Sequence, residues 1–437
     1  MTINELHGLF LKSNGVTTDS RNCAPGLIFF ALRGERFDGN SFAAQALEMG
    51  CLAAVIDSAE YYNPNEGRMI LVDNVLKTLQ ALARFHRDYL GTPVIGITGT
   101  NGKTTTKELI HAVMASTYRT LATKGNLNNQ IGVPLTVLGM DSTYQYAIIE
   151  MGASHPGDIK ELVDVCDPDY GIITNVGKAH LLGFGSFEGV KATKGELYDH
   201  LRAKNGPVFL NADNPHLTQM AKGLSCILYG KPGTPGLAVQ GELECCNPCL
   251  KFRWRKGESG EWHSVQTNLI GAYNIDNALA AITIGLHFGV SEQAASDSIA
   301  GYVPSNNRSQ LTKTERNSLV VDAYNANPTS MQAALENFSL MQATGKMLIL
   351  GDMRELGDSS QEEHIRTVNL ISQLGFSNVV LVGDEFGKAV AATDAPFRVF
   401  AHAGQTAEWI KSAGISGQTI LIKGSNSMKL VTLVELL

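Results

Sequence analysis

The stretch Gly96-Ile97-Thr98-Gly99-Thr100-Asn101-Gly102-Lys103-Thr104-Thr105 joins an apolar strand to a helix through a turn of small residues. A strand that ends in such a turn and hands over to Lys-Thr aims the first N–H groups of a helix at one point. The helix dipole adds positive potential there, which suits phosphate oxygens. Lys103 then reaches the β/γ-phosphates and Thr104 offers a hydroxyl to Mg²⁺, with Gly99, Thr100, Asn101 and Gly102 forming the cradle. The strict G-x-x-x-x-G-K-[ST] spacing is not met, because position 97 is Ile. A purely structural strand-turn-helix uses the same residue types, and a phosphate loop alone does not say what the phosphoryl group is used for.

Outward from this loop the chain divides into three composition blocks. Residues 1–90 carry turn-rich stretches around short apolar strands at 27–32 and 52–56. They end in a helical pattern at 75–89 and the breaker Gly91-Thr92-Pro93. Residues 91–304 alternate apolar strands (94–98, 146–150, 171–174, 208–210) with helices, which implies a parallel sheet covered on both faces. Residues 227–266 look like an antiparallel addition, followed by a helix at about 274–288. Residues 305–437 repeat the alternation at 319–322, 346–350, 378–382 and 419–422, a second and smaller α/β unit. In such sheets ligands gather beyond the carboxyl ends of the strands. Thr98, Glu150, Asn175, Asp322, Asp352 and Lys423 fall there.

The chain has 437 residues, 44% of them hydrophobic and 18% charged, and a formal net charge of −7. That is enough apolar material for several cores and excludes a disordered polyelectrolyte. The acidic balance argues against a nucleic-acid partner, and no apolar run is long enough to insert in a membrane. Residues 1–15 include Glu5 and lack a signal-cleavage pattern. Seven cysteines form no disulfide framework, and Cys245, Cys246 and Cys249 lack a nearby fourth partner for zinc. A reducing, cytoplasmic setting is expected.

Glu150, ending an apolar strand, can hold a hard cation beside the phosphate loop or can be a solvated strand-end acid. His180 falls on a loop at the same sheet edge, where a lone histidine is commonly structural. Lys194, on a helix, has no role that spacing alone assigns.

Taken together, a longer set of motifs resembles the ATP-dependent Mur ligases of peptidoglycan precursor synthesis. These are Thr18-Asp19-Ser20-Arg21, Phe37-Asp38-Gly39, the phosphate loop, Gly125-Asn126-Leu127-Asn128-Asn129 and Glu150-Met151-Gly152-Ala153. Further along come His180-Leu181-Leu182-Gly183-Phe184-Gly185-Ser186, Asn274-Ile275-Asp276-Asn277, Asp322-Ala323-Tyr324-Asn325-Ala326-Asn327-Pro328 and Lys423-Gly424-Ser425. The resemblance implies a three-domain α/β architecture: an N-terminal UDP-substrate unit, a central P-loop parallel sheet and a smaller C-terminal Rossmann-like unit. It implies ligation of D-alanyl-D-alanine to UDP-N-acetylmuramoyl-tripeptide through an acyl phosphate, by a monomer. Thr104, Glu150 and His180 would serve two Mg²⁺ ions, and Lys194 matches the family lysine that can be N-carboxylated, joining them as a ligand if it is. Lys103, His180 and Lys194 would be the catalytic groups. Asn274 and Asn277 would read the adenine side, Arg308 and Asp322 would contact nucleotide, and Asn325 and Asn327 would order the dipeptide or the nucleotide. Ser20 and Arg21 would meet the uridine diphosphate, and Asn128 and Asn129 the muramyl side.

The chain departs from the family pattern at Asn40 (usually His), Leu182 (commonly an acid) and Asn426 (frequently Arg). Two rival readings use the same loop. A sibling that adds one amino acid, or a folylpolyglutamate-type synthetase, shares the central chemistry but not the segment 322–328. A non-catalytic nucleotide switch needs no amine acceptor.

Overall fold

Strand Val94–Thr98 lies inside a nine-stranded sheet of the computed structural model, which describes residues 1–35, 37–304, 310–343 and 345–437. Its neighbours are Tyr170–Ile173 on one side and Tyr146–Glu150 on the other, both parallel, with Thr120–Ala122 beyond. On the first side the parallel run continues through Val208–Asn211 and Cys226–Gly230 to the first two positions of Val239–Cys246. Two antiparallel pairings then add Cys249–Lys256 and His263–Ile270. The antiparallel addition therefore starts later than the residue pattern suggests. Strand Cys226–Gly230 follows helix Pro215–Met220, and that crossover returns it to the sheet in the parallel sense.

Register decides what meets at the sheet edge. Ile97 pairs with Glu150, and Ile173 with Thr98, so the phosphate loop, Glu150 and the 174–180 loop leave adjacent strands at one level. Helix Lys103–Ala115 runs back over the sheet against helix Asn274–His287, where Leu109, Ile110, Val113, Ala278, Ala281 and Ile282 are buried.

The first unit is a four-stranded parallel sheet in the order Val16–Thr17, Ile28–Phe30, Ala53–Ile56, Met69–Leu71. Helix Val75–Leu90, capped by Asn74, carries Leu79, Leu82 and Ala83 in a core continuous with Val133, Ile159 and Leu162 of the central unit. It is thus a shared wall between the two units, and a buried His7–His86 pair at 3.0 Å lies along it.

The third unit is six-stranded: Gln310–Lys313 antiparallel at the edge, then Ser318–Asp322, Thr419–Lys423, Lys346–Gly351, Val379–Val382 and Arg398–Phe400, all parallel. Asp322 and Lys423 are register partners at the carboxyl ends of two adjacent strands. Among the described residues no helix is long and apolar enough to cross a membrane.

Candidate active-site cleft

A cleft of about 510 Å³ opens where the carboxyl ends of the central sheet face those of the third unit's sheet. Lys103, Glu150, His180 and Asn274 line it from one side, and Asp322, Asn325 and Lys423 from the other.

Two glycines set the phosphate loop. Gly99 has φ +146°, and a Cβ there would sit 2.1 Å from the Thr174 hydroxyl oxygen. Gly102 has φ +76°, and a Cβ would come within 2.8 Å of Asn277 Oδ1. Any side chain is excluded at both on conformational and steric grounds. The turn is held from behind by the next strand's loop. Thr100 N–H donates to the Asn175 carbonyl (3.0 Å), Asn101 N–H to Asn175 Oδ1 (2.9 Å), and Thr174 Oγ1 to the Asn101 carbonyl (2.6 Å). Lys103 Nζ folds back onto the carbonyls of Gly99 (2.8 Å) and Thr100 (3.1 Å), within the loop it would leave for a phosphate. Gly102 offers no side-chain cap, so helix Lys103–Ala115 begins with its positive end turned to the cleft.

Glu150 is 1% exposed. One oxygen accepts from Thr104 Oγ1 (3.1 Å) and Asn128 Nδ2 (2.9 Å), while its other oxygen, Oε2, is buried without a hydrogen-bond partner. A buried carboxylate with an orphan oxygen costs several kcal/mol unless a cation completes it. Beside a threonine hydroxyl, this all-oxygen donor set fits a hard ion such as Mg²⁺. No group of three or more His, Cys, Asp or Glu that could hold a metal occurs among the described residues.

Lys194 is 2% exposed, packed with its ammonium 5.6 Å from the centre of the Phe184 ring. Burial holds it far below the usual lysine range, and the charge of Lys103 pushes the same way. His180, in the left-handed region at φ +50°, turns Nδ1 onto Glu355 of the third unit. Burial lowers its pKa, against the opposing pull of Glu355.

The other expected residues fall out unevenly. Asn274 and Asn277 form a buried chain: Asn274 Nδ2 donates to the Ile270 carbonyl (2.7 Å), Asn277 Nδ2 to Asn274 Oδ1 (2.9 Å), and Thr106 Oγ1 to Asn277 Oδ1 (2.9 Å). They line the cleft while tying its helices together. Asp322 Oδ2 accepts from the buried Lys423 Nζ at 2.5 Å, and the same ammonium reaches the Asn325 carbonyl at 3.4 Å. Asn327 caps helix Pro328–Leu340 through Ser330 N–H (2.9 Å) and donates to Asn101 Oδ1 of the phosphate loop (2.7 Å). Asn129 Oδ1 accepts from the N–H of Gly132 (2.9 Å), the first residue of helix Gly132–Leu138.

Ser20 and Arg21 lie away from the cleft, on a short turn where the exposed Arg21 pairs with Asp19 at 2.7 Å. Asp352 does not line the cleft either; its carboxylate accepts from the N–H of Glu385 and Phe386 at the start of helix Asp384–Thr393. Arg308 lies outside the described residues. Of the departures, Asn40 is buried and bridges Asp38 and Asp57, Leu182 is 73% exposed, and Asn426 opens a short turn.

Sequence reasoning placed Asn175 at a ligand-gathering strand end and Asp276 within a motif without assigning either a role, and it did not single out Glu355. Asn175 had a signal, a polar residue just past a strand end. Asp276 had another, its place between two cleft asparagines. Burial and Asp213 push Asp276 up to about 6. Glu355 had no local signal at all.

Three family profiles match the chain: "Mur ligase family, catalytic domain" over residues 12–87, "Mur ligase middle domain" over 97–285 and "Mur ligase, glutamate ligase domain" over 307–426. The UDP-N-acetylmuramoyl-tripeptide–D-alanyl-D-alanine ligase of Bacillus subtilis is 37% identical, covering 97% of this chain and 92% of its own length. The Escherichia coli enzyme of the same name is 32% identical over 99% and 95%. Among solved structures, MurF from Acinetobacter baumannii superposes with a TM-score of 0.88 at 28% identity, over 99% and 98% of the two chains. MurF from Thermotoga maritima, in complex with ADP, gives 0.84 at 25% identity, over 98% and 97%.

Proposed function

The chain belongs to the Mur ligase family, and we propose that it uses ATP to join D-alanyl-D-alanine to UDP-N-acetylmuramoyl-tripeptide. The observation that carries this reading is the cleft itself, where the phosphate loop of one sheet and the Asp322–Lys423 strand ends of another face a common space. A nucleotide switch needs the first alone; a ligase needs an amine brought against the nucleotide from a second side.

The peptide carboxylate is a poor electrophile and must be activated. One of its oxygens attacks the γ-phosphorus, the bond to the β-bridging oxygen breaks, and ADP leaves an acyl phosphate. The dipeptide nitrogen then attacks the acyl carbon, the carbon–oxygen bond to phosphate breaks, and the nitrogen gives up a proton. The first step brings two anions together. Lys103 and the start of helix Lys103–Ala115 supply fixed positive potential where that charge collects. Thr104, Glu150 and His180 are the residues that would hold Mg²⁺, which when bound neutralises phosphate charge. Burial disfavours the ammonium form of Lys194, and so favours the free amine, the form that takes up carbon dioxide. Its N-carboxylate would be a further oxygen ligand where a free lysine would repel the ion. Closure of the third unit over the loop, through Asn327 and Asn101, excludes water from the acyl phosphate.

In the same reading the domains are residues 1–90 for the uridine-linked substrate, 91–304 for ATP and 305–437 for the amine side. Ser20 and Arg21 meet the uridine diphosphate, Asn128 and Asn129 the muramyl side, Asn274, Asn277, Asp322 and Arg308 the nucleotide, and Asn325 and Asn327 the dipeptide side. The protein works as a cytoplasmic monomer, in keeping with seven free thiols. The test is incubation with ATP, D-alanyl-D-alanine and the UDP-tripeptide ending in either lysine or diaminopimelate. A product heavier by one dipeptide residue pair supports the reading; no such product from either UDP-tripeptide, while a single amino acid supplied in place of the dipeptide is added, overturns it.

A further inference from the structure

We propose that Glu355 is a positioning residue that sets the tautomer of His180 across the gap between the central and third units, so that the His180 end of the metal site is completed only when the third unit is docked. This rests on the metal-dependent ligase reading above.

Glu355 hydrogen-bonds His180 Nδ1 through Oε2. A carboxylate accepts, so Nδ1 must carry the proton, and the lone pair is left on Nε2. A histidine that ligates a metal through one nitrogen usually donates its other N–H to a carboxylate, which fixes the ring and raises its basicity. Here that carboxylate arrives from a different folding unit. His180 lines the cleft, as Glu150 and Lys103 do.

The backbone is arranged for this meeting on both sides. His180 (φ +50°) and Glu355 (φ +65°) both stand in the left-handed region, which non-glycine residues hold only when their surroundings over-determine them. Around Glu355 they do. Met353 N–H donates to His364 Nε2 (3.0 Å), Arg354 N–H to Ser425 Oγ (3.0 Å), and Met353 and Leu356 are buried anchors. The central unit's Leu182 N–H then donates to the Glu355 carbonyl (3.3 Å), and its side chain packs toward Gly357. Leu182 occupies the position where the family commonly has an acid. In this chain its backbone N–H makes the docking contact, and the carboxylate beside His180 is that of Glu355.

The test is Mn²⁺ titration, followed by electron paramagnetic resonance, of the full chain with a non-hydrolysable ATP analogue, so that no turnover is needed. Glu355→Ala is expected to weaken Mn²⁺ binding about 10-fold, and Glu355→Gln, which can still accept from Nδ1, to restore most of it. His180→Ala should weaken binding similarly, and the double variant should be no worse than His180→Ala alone. Unchanged Mn²⁺ affinity in Glu355→Ala, or additive losses in the double variant, overturns the inference while leaving the ligase reading standing. Wild-type protein that binds no Mn²⁺ with the analogue overturns both. Glu355 is more than half exposed, so its replacement is not expected to unfold the protein. Nitrogen-15 imidazole shifts of His180 provide the second readout: a protonated Nδ1 in wild type, lost in Glu355→Ala.

Discussion

The two walls of the cleft are built in different ways. The phosphate loop and Glu150 are finished within one folding unit: Gly99 and Gly102 set the turn, Asn175 and Thr174 brace it, and Thr104 and Asn128 hold Glu150. The rest of the cleft depends on contacts between units, Asn327 with Asn101 and Glu355 with His180. A preformed wall can bind nucleotide without its partner. An assembled wall makes chemistry conditional on docking, which protects a reactive acyl phosphate until the amine side is in place.

Variants on the preformed wall break this picture most severely. Replacing Lys103 with Ala should lower steady-state ADP formation by ~100–1000-fold, as for loss of a principal charge-stabilising group, while circular dichroism stays unchanged. Substantial residual turnover would remove Lys103 from the reaction. Lys194→Ala should cost on the order of 100-fold and be partly rescued by added short carboxylic acids, which can stand in for an N-carboxylate. Activity untouched by this change would show that the buried amine is only packing.

On the assembled wall the effect should be milder. Asn327→Ala removes the two inter-unit hydrogen bonds with Asn101 and a helix cap, each worth ~1 kcal/mol. We expect a several-fold rise in the KM for ATP with a small fall in Tm. An unchanged KM would mean that the loop does not feel the third unit.

The smallest effect concerns the helix shared by the first two units. His7 and His86 are buried; burial lowers both pKa values, the charge of His86 lowers that of His7 further, and the Met140 carbonyl partly offsets the shift in His86. The unfolded chain then binds more protons than the folded one near pH 6. The stability contributed is complete above the ordinary histidine value and declines as pH falls below ~6.5, by up to ~1.4 kcal/mol per pH unit per proton. Tm measured between pH 7.5 and 5.5 should fall, and less steeply in His86→Gln. A flat profile would show that neither histidine is held neutral.

How legible each wall is in the sequence follows from the same contrast. Gly99, Gly102, Lys103, Thr104 and Glu150 announce themselves because strand, turn and helix start are local signals, and parallel pairing brings neighbouring strand ends together. The α/β alternation gave the sheets for the same reason, while the parallel placement of Cys226–Gly230 needed the crossover helix before it. Lys194 has no local signal, since its burial is set by packing of Phe184 and helix Phe187–Lys204 against the sheet. Glu355 is 175 residues from His180 in the chain, and no period or motif spans that distance. Asp352 was suggestive only by position, and its carboxylate is spent on capping a helix.

The most direct measurement is steady-state ADP release with ATP and UDP-N-acetylmuramoyl-tripeptide, with and without D-alanyl-D-alanine. Multiple turnovers that require both the sugar-linked peptide and the dipeptide are the expected result. Continuous ADP release indifferent to the dipeptide would contradict the account.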